Sequence, residues 1–219
     1  MERERMRIAK DMHDEIGSKL TKISFMSERA KGELQGQESV AKKLFSIAHT
    51  SRDLLQTLDE IVWAVNPHND TLEHLANYLG QYATEYLHDT NVNCELHIPG
   101  GLPEHPFSAE TRHNIFLAFE EALNNALKHG RASLVRIDMM FEPAQFQIKI
   151  VDNGSGFDSA KTKTAEPAAG QRGGNGLRNM SQRLADTGGS CTITSAPGQG
   201  TTVTFNVPLQ KVNAPIKRK

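Results

Sequence analysis

The positions of proline and glycine divide this chain into two parts. All nine prolines stand at or after Pro67, and 14 of the 17 glycines do too. Residues 1–66 also balance eleven Lys or Arg side chains against eleven Asp or Glu side chains. A long segment with few helix breakers and balanced charge has the composition of helices. We therefore predict a helical domain over residues 1–66 and a second domain over residues 67–219.

Apolar residues in the first part recur every three or four positions, which is the spacing of one helix face. The first series is Ile8, Met12, Ile16, Leu20, Ile23, Met26, Ala30 and Leu34. The second series is Val40, Leu44, Ile47, Leu54, Leu58, Ile61 and Val65. Pro67 disfavours helix at Asn66 and so ends the second helix. Because two helices with one apolar stripe each cannot enclose a core, we predict that two copies pair as a homodimeric four-helix bundle.

His13 lies at the edge of the first apolar stripe, about 90° from its centre, where an imidazole can meet solvent. Asp14 follows it, and Gly17 leaves space on nearly the same face one turn later. That glycine costs the helix about 1 kcal/mol relative to alanine, and access to the imidazole explains the cost. A lone histidine at such an edge is usually only a solvated helix residue, so its interpretation depends on the second domain.

Helices and strands mix in the second part without strict alternation. We predict helices from Asp70, capped with Glu73, to about Tyr86, from an N-cap at Ser108 through Lys128, and near Leu177–Asp186. The predicted strands are Val92–Ile98, Leu134–Phe141, Phe146–Val151, Ser190–Ser195 and Thr201–Pro208. This order predicts an α+β fold, a two-layer sandwich with a mostly antiparallel sheet covered on one face by helices.

One predicted helix carries Glu121 and Asn125 four residues apart, with Lys128 one turn further. A carboxylate, an amide oxygen and an ammonium group in line can meet a hydrated Mg²⁺ and the phosphates that it bridges. Standing alone, the pattern is more often an ordinary polar helix face.

Three glycine-containing segments follow. Asp152 ends an apolar strand and precedes Gly154 and Gly156, so a fixed carboxylate and a close backbone could hold a planar ligand with an exocyclic amine. Residues 173–177 place glycines before a helix, where backbone N–H groups attract an anion such as phosphate. Residues 198–201 form a turn before the last strand. Each segment alone is weak evidence, but the four patterns in this order are far more specific.

These motifs resemble the transmitter region of sensor histidine kinases, in the subgroup whose response regulators carry LuxR-type outputs. The similarity covers nearly all of residues 1–209. It is carried by RIAKDMHDEIG, EEALNNALKHG, DNGSGFD, GGNGLRNMSQRL and GQGTTVTFNVPL. The resemblance implies a dimerisation and histidine-phosphotransfer domain, followed by the Bergerat-type ATP-binding fold shared with gyrase and Hsp90.

The resemblance also implies roles for single residues. His13 would attack the γ-phosphoryl group of ATP, with Asp14 orienting or deprotonating the imidazole. Asn125 would hold Mg²⁺, and Glu121 would contact the metal or a water beside it. Asp152 would bind the adenine amino group, and Thr201 would support this contact through water. Lys128 or His129 would face the phosphates. The residues implied to lie along the nucleotide are Gly154, Gly156, Gly174, Gly176 and Leu177. The phosphoryl group would then pass to an aspartate of a response regulator.

The chain departs from the family pattern at two positions. Ser18 stands five residues after His13, where members with strong phosphatase activity have Gln or His, so phosphatase activity stays open. Arg172 stands where a fuller second glycine box would start, although short boxes are usual in this subgroup.

Two other functions fit parts of the pattern. An ATP-driven clamp related to gyrase or Hsp90 could use Glu121 to activate water, and a non-catalytic dimeric scaffold could keep the fold without chemistry. We further expect residues 155–173, with Lys161 and Lys163, to close over the phosphates, and Trp63–Pro67 to be a hinge.

Charge and composition exclude several partner classes. The net charge of −1 gives no basic surplus for nucleic acid. No run is long and apolar enough for a membrane span, and the first residues lack the apolar middle of a signal peptide. Cys94 and Cys191 are isolated and read as reduced thiols. We expect a cytoplasmic fragment of a longer parent protein whose sensor, membrane-spanning in one alternative, precedes Met1.

Overall fold

The computed structural model describes residues 16, 19–30, 38–66, 69–88, 90–158 and 176–209. The chain divides into two compact units, a helical unit (Met1–Asn69) and a sandwich unit (Asp70–Lys219). This boundary lies three residues after the predicted division. The predicted site residues His13, Asp14 and Gly174 lie outside the described residues, as do Gly17, Ser18 and most of the predicted lid.

The described part of the helical unit contains two helices. Helix α1 covers residues 19–30, and helix α2 covers Glu38–Val65. An ion pair joins them, with 2.6 Å between Arg52 Nη1 and Glu28 Oε1. After α2 ends, the carbonyl of Trp63 accepts from the Asn69 side-chain amide at 3.0 Å and from the Asn66 N–H at 3.3 Å.

The side chains that this unit buries are mostly small. Within its described part, the buried residues are Ser24, Ser27, Ala48, Ser51 and Glu60. None of the described large apolar side chains of this unit is buried, and nine of them are exposed: Ile16, Ile23, Phe25, Met26, Val40, Phe45, Ile47, Leu54 and Ile61. Phe25 and Met26 are 69% and 62% exposed. One chain therefore leaves most of the apolar surface of both helices uncovered.

The sandwich unit contains a five-stranded sheet and three α-helices among its described residues. The helices are α3 (Leu72–His88), α4 (Ala109–Asn125) and α5 (Gly176–Asp186). The strands are β1 (Asn93–His97), β2 (Leu134–Glu142), β3 (Gln145–Asp152), β4 (Ser190–Ser195) and β5 (Thr201–Pro208). The sheet order is β1-β2-β3-β5-β4; β1 is parallel to β2, and the other pairs are antiparallel. The predicted α+β fold is confirmed.

Alternation along the central strands builds the core, because successive side chains in a strand point to opposite faces. The buried residues on one face of the sheet are Val135, Ile137, Met139, Phe146, Ile148, Ile150, Val203, Phe205 and Val207. The buried residues of the helices that complete this core include Leu75, Leu79, Phe116, Phe119, Met180 and Leu184. The layer of helices thereby fixes α4 and α5 on one side of the sheet.

The two predicted helix caps have different outcomes. The Ser108 hydroxyl accepts a hydrogen bond from the Thr111 N–H at 3.0 Å, so the N-cap of α4 is confirmed. The predicted cap of α3 at Asp70 is wrong. The Thr71 hydroxyl instead accepts from the His74 N–H at 3.2 Å. The Asp70 carboxylate is held by the buried guanidinium of Arg112, a partner 42 residues away that no local pattern reveals.

Candidate functional site

The end of α4 presents two polar side chains, Glu121 and Asn125. Both are half-buried, and the Asn125 amide donates to Glu121 Oε1 at 3.2 Å. The spacing of four residues puts them on one helix face, as predicted. At the next residue the helix widens into a π-helical turn, Ala126–Gly130, which carries Lys128 and His129. Such a turn is common at functional sites.

The π-helical turn closes through an unusual residue. Arg131 has a left-handed backbone, with φ of 50°, and its N–H donates to the carbonyl of Ala126. The carbonyl of Gly130 is then free of the helix ladder and accepts from the Ser155 N–H at 2.7 Å. This bond fixes the end of α4 against the loop that follows β3.

The buried carboxylate of Asp152 stands at the end of β3, with 8% of the residue exposed. Its Oδ1 accepts from the Gly154 N–H at 2.8 Å, which fixes the orientation of the carboxylate. A Cβ at Gly154 would overlap the carbonyl oxygen of Gly130, so only glycine fits this turn. The sequence DNG therefore builds a rigid carboxylate whose remaining lone pairs can accept from a ligand.

Thr201 pairs with Asp152 across β3 and β5. Its hydroxyl lies 3.1 Å from the Ser195 hydroxyl. Ser195 in turn donates to the carbonyl of Gly200 at 2.8 Å and accepts from the Phe157 N–H at 2.9 Å. Gly200 is left-handed, and a Cβ there would overlap the Asp152 carbonyl oxygen. These hydrogen bonds fix the backbone beneath Asp152. Ser195 was not predicted as a site residue, because the sequence indicates only that it ends a strand.

The first residue of α5, Gly176, lies directly against Glu121. A Cβ at Gly176 would overlap Glu121 Oε1 and lie 2.9 Å from Cδ of the same carboxylate. Glycine therefore lets the start of α5 approach the polar face of α4.

These elements enclose a cavity of about 490 Å³, a size typical of small-molecule sites. Its lining residues are Glu121, Ala122, Asn125, Ala126, His129, Gly130, Asp152, Ser155, Gly156, Phe157, Gly176, Leu177, Asn179, Met180, Thr201 and Val203. Of the predicted residues that the structure describes, Lys128 and Gly154 are outside this lining. Lys128 is exposed, and Gly154 is buried behind Asp152.

The apolar part of the lining was not predicted. Ala122, Ala126, Phe157, Met180 and Val203 come from four elements that are separated in sequence. Phe157 alone had a local signal, because it belongs to the motif DNGSGFD. An apolar slot with one fixed carboxylate suits a flat heterocycle that carries an exocyclic amine.

Neighbouring carboxylates on α4 face different surroundings. Glu120 accepts from the Tyr82 hydroxyl of α3 at 3.2 Å, whereas Glu121 lines the cavity. Burial raises the pKa of Glu120, nearby Glu121 raises it further, and the Tyr82 hydrogen bond opposes both effects. Burial and the same two carboxylates also raise the pKa of the Tyr86 hydroxyl.

A divalent cation fits the donor set of the cavity only with help from a ligand. Among the described residues, no group of three or more His, Cys, Asp or Glu side chains could hold a metal ion. Glu121 and Asn125 offer carboxylate and amide oxygens, which are donors that Mg²⁺ accepts, but Mg²⁺ is usually completed by phosphate oxygens and water. The residues present therefore fit a magnesium–phosphate complex.

The part of the chain that the structure describes contains no helix long and apolar enough to cross a membrane.

Two protein families match the chain in succession. The family described as "Histidine kinase" (HisKA_3) matches residues 4–70. The family described as "Histidine kinase-, DNA gyrase B-, and HSP90-like ATPase" (HATPase_c) matches residues 110–211, which include every described residue of the cavity lining. His13 lies within the first match.

Similar curated proteins are sensor histidine kinases. Sensor histidine kinase LiaS of Bacillus subtilis is 25% identical over 94% of this chain and 54% of its own length. Sensor protein VraS of Staphylococcus saprophyticus is 26% identical, covering 96% of this chain and 57% of VraS. The kinase/phosphatase DegS of Brevibacillus brevis is 25% identical, and the match covers 95% of this chain and 52% of DegS. The chain thus spans about half the length of these relatives.

A solved structure shares the fold. The histidine kinase domain of the blue-light activated histidine kinase EL346 from Erythrobacter litoralis has a TM-score of 0.53 and 20% identity. The match covers 88% of this chain and 94% of that domain. With the two families matched in this order, over residues 4–70 and 110–211, the chain belongs to the sensor histidine kinases as a HisKA_3 and HATPase_c core.

Proposed function

We propose that this chain is the catalytic core of a two-component sensor kinase, which binds ATP in the cavity and transfers its γ-phosphoryl group to His13. One observation carries the proposal. A buried, oriented carboxylate and the polar end of α4 share one cavity, downstream of a segment that matches histidine kinases.

The adenine ring occupies the apolar part of the cavity. The Asp152 carboxylate accepts a hydrogen bond from the adenine amino group, and Thr201 supports this contact through water. Support comes from the fixed orientation of Asp152, from the hydroxyl pair beneath it, and from Phe157 and Met180 in the lining. Gly156 lines the cavity, and only glycine fits there, since its backbone is left-handed and a Cβ would overlap the Ala196 carbonyl.

The phosphates extend towards the end of α4 and the start of α5. Asn125 and Glu121 would hold Mg²⁺, which would neutralise the charge that develops on the phosphates. Gly176 and Leu177 line the cavity at the start of α5, where N–H groups favour an anion such as the phosphate chain. Gly174, which lies outside the described residues, would take part as the resemblance implies. His129 lines the cavity and is the better placed of the two candidate phosphate contacts, because Lys128 lies outside the lining.

His13 is the phosphoacceptor. A neutral ring nitrogen attacks the γ-phosphorus, so an N–P bond forms as the bond from that phosphorus to its bridging oxygen breaks and ADP leaves. Asp14 keeps the proton on the other ring nitrogen and so directs the free lone pair towards the phosphorus. The phosphoryl group then passes to an aspartate of a response regulator receiver domain with a LuxR-type output.

The helical unit works as a homodimer. Nine large apolar side chains of the described part are exposed in one chain, while the side chains that it buries are mostly small. Exposed apolar surface of this extent marks an interface. A second copy that covers both stripes completes a four-helix bundle. We place this core in the cytoplasm, where ATP is available, as part of a longer protein that could be anchored in the membrane.

The test is labelling of the full chain with γ-labelled ATP and Mg²⁺, followed by alkaline detection of acid-labile phosphate. His13→Gln is expected to lower the labelling by at least about 100-fold, because the nucleophile is removed. His49→Gln on α2 is the matched control and keeps wild-type labelling. Equal labelling in both variants would show that His13 is not the nucleophile.

A further inference from the structure

The contact between Glu121 and Gly176 carries an inference that rests on the proposed nucleotide site. Glu121 Oε1 lies so close to Gly176 that no Cβ could be accommodated there. The carboxylate of α4 therefore touches the first residue of α5. Both residues line the cavity in which the phosphate chain is proposed to bind.

Helix α5 has eleven residues, and its N-terminal end attracts negative charge. The Glu121 carboxylate stands at this end and takes the location that suits a phosphate group. The Asn125 amide donates to the same oxygen at 3.2 Å, so both proposed metal ligands are engaged with each other.

We propose that Glu121 makes the site selective for magnesium-bound nucleotide over free nucleotide. Against Gly176 the carboxylate competes with the phosphate chain for the start of α5. Free ATP brings only negative charge and is repelled. Magnesium-bound ATP gives the carboxylate a cation to turn towards, so the same side chain then favours binding.

The neighbouring residue provides a matched control. Glu120 also lies on α4 and carries the same charge, but it accepts a hydrogen bond from Tyr82 and does not line the cavity. Glu120→Gln and Glu121→Gln remove one carboxylate each, from adjacent positions. A long-range effect of net charge would act on both, whereas competition at Gly176 acts only through Glu121.

The experiment is equilibrium binding of adenosine, ADP and ATP to the full chain, in excess chelator and again in excess Mg²⁺. In chelator, Glu121→Gln is expected to bind ATP about five-fold more tightly than the wild type does. The gain in affinity should be smaller for ADP and absent for adenosine. In Mg²⁺ the wild type is expected to bind ATP more tightly than Glu121→Gln, because the variant lacks a metal contact. Glu120→Gln stays within about two-fold of the wild type throughout.

The proposed competition is overturned if both variants gain the same affinity for ATP in chelator, or if Glu121→Gln gains none. Thermal unfolding checks that each variant is folded, and Glu121→Ala replaces Glu121→Gln if the latter is not. A wild-type chain that binds no ATP under either condition overturns the proposed nucleotide site itself, which distinguishes the two failures.

Discussion

The two units of the chain handle their apolar residues in opposite ways. The sandwich unit buries Phe116, Phe119, Phe146 and Phe205 between its helices and its sheet. The described part of the helical unit exposes Phe25 and eight other large apolar side chains. The first is complete within one chain, and the second has an apolar face that requires a partner. If the proposed function holds, the nucleotide site is complete in one chain, and the proposed phosphoacceptor lies in the unit that depends on assembly.

The largest expected effect is on the assembly of the helical unit. Met26→Glu puts a charge on the exposed apolar face, which costs about 2 kcal/mol in each of two copies. The dimer dissociation constant should rise about 10³-fold, measured by sedimentation equilibrium. Lys43→Glu, at an exposed polar position of α2, is the control and should leave it within about three-fold. An unchanged dimer in Met26→Glu would mean that this face is not the interface.

A smaller effect is expected in the sandwich unit. Asp152→Ala removes a charged hydrogen-bond acceptor and should weaken ATP binding about 100-fold without changing dimerisation. Asp138→Ala is the control, because Asp138 is a carboxylate on β2 that binds His97 at 2.7 Å, away from the cavity. Titration calorimetry measures both. The role of Asp152 is contradicted if the two variants bind ATP alike.

The cap of α4 should affect stability by about 1 kcal/mol. Ser108→Ala leaves the Thr111 N–H without its acceptor. The unfolding of the sandwich unit should therefore shift, and that of the helical unit should not. Thr84→Ala within α3 is the control and should not lower the stability, since the exposed Thr84 hydroxyl donates back to the Gly80 carbonyl of its own helix. Chemical denaturation of the full chain measures the free energy of unfolding of each unit in both variants.

The smallest effect is a dependence on pH. Because burial raises the pKa of Glu120 above 4.5, the folded chain binds this proton more readily than the unfolded chain. The stability gained is present below pH 4.5 and is lost as the pH rises through the folded-state pKa. Glu120→Gln should flatten this decline. Tyr82→Phe should extend it to higher pH, since it removes the hydrogen bond that lowers the pKa. Thermal unfolding across pH 4–8 measures both, and identical profiles would exclude the Glu120 contribution.

The sequence predicted what depends on local periodicity. Alternation along β3 placed Asp152 at a strand end, and spacing along α4 placed Glu121 and Asn125 together. The prediction from sequence failed where a residue's structure depends on a partner that is distant in sequence. Arg112 draws Asp70 away from capping α3, and Ser195 joins Thr201 only through the pairing of β4 with β5. The widening at Ala126 was missed because a single π-helical turn of five residues is too short to leave its own periodicity in the sequence.

The most direct test is differential scanning calorimetry of the full chain, at two concentrations 100-fold apart, with and without magnesium and a nonhydrolysable ATP analogue. The account predicts two transitions. One rises with protein concentration because the helical unit unfolds as its dimer dissociates, and the other rises only with nucleotide because the sandwich unit is complete in one chain. A single transition, or a nucleotide shift confined to the concentration-dependent transition, would contradict the division between the two units.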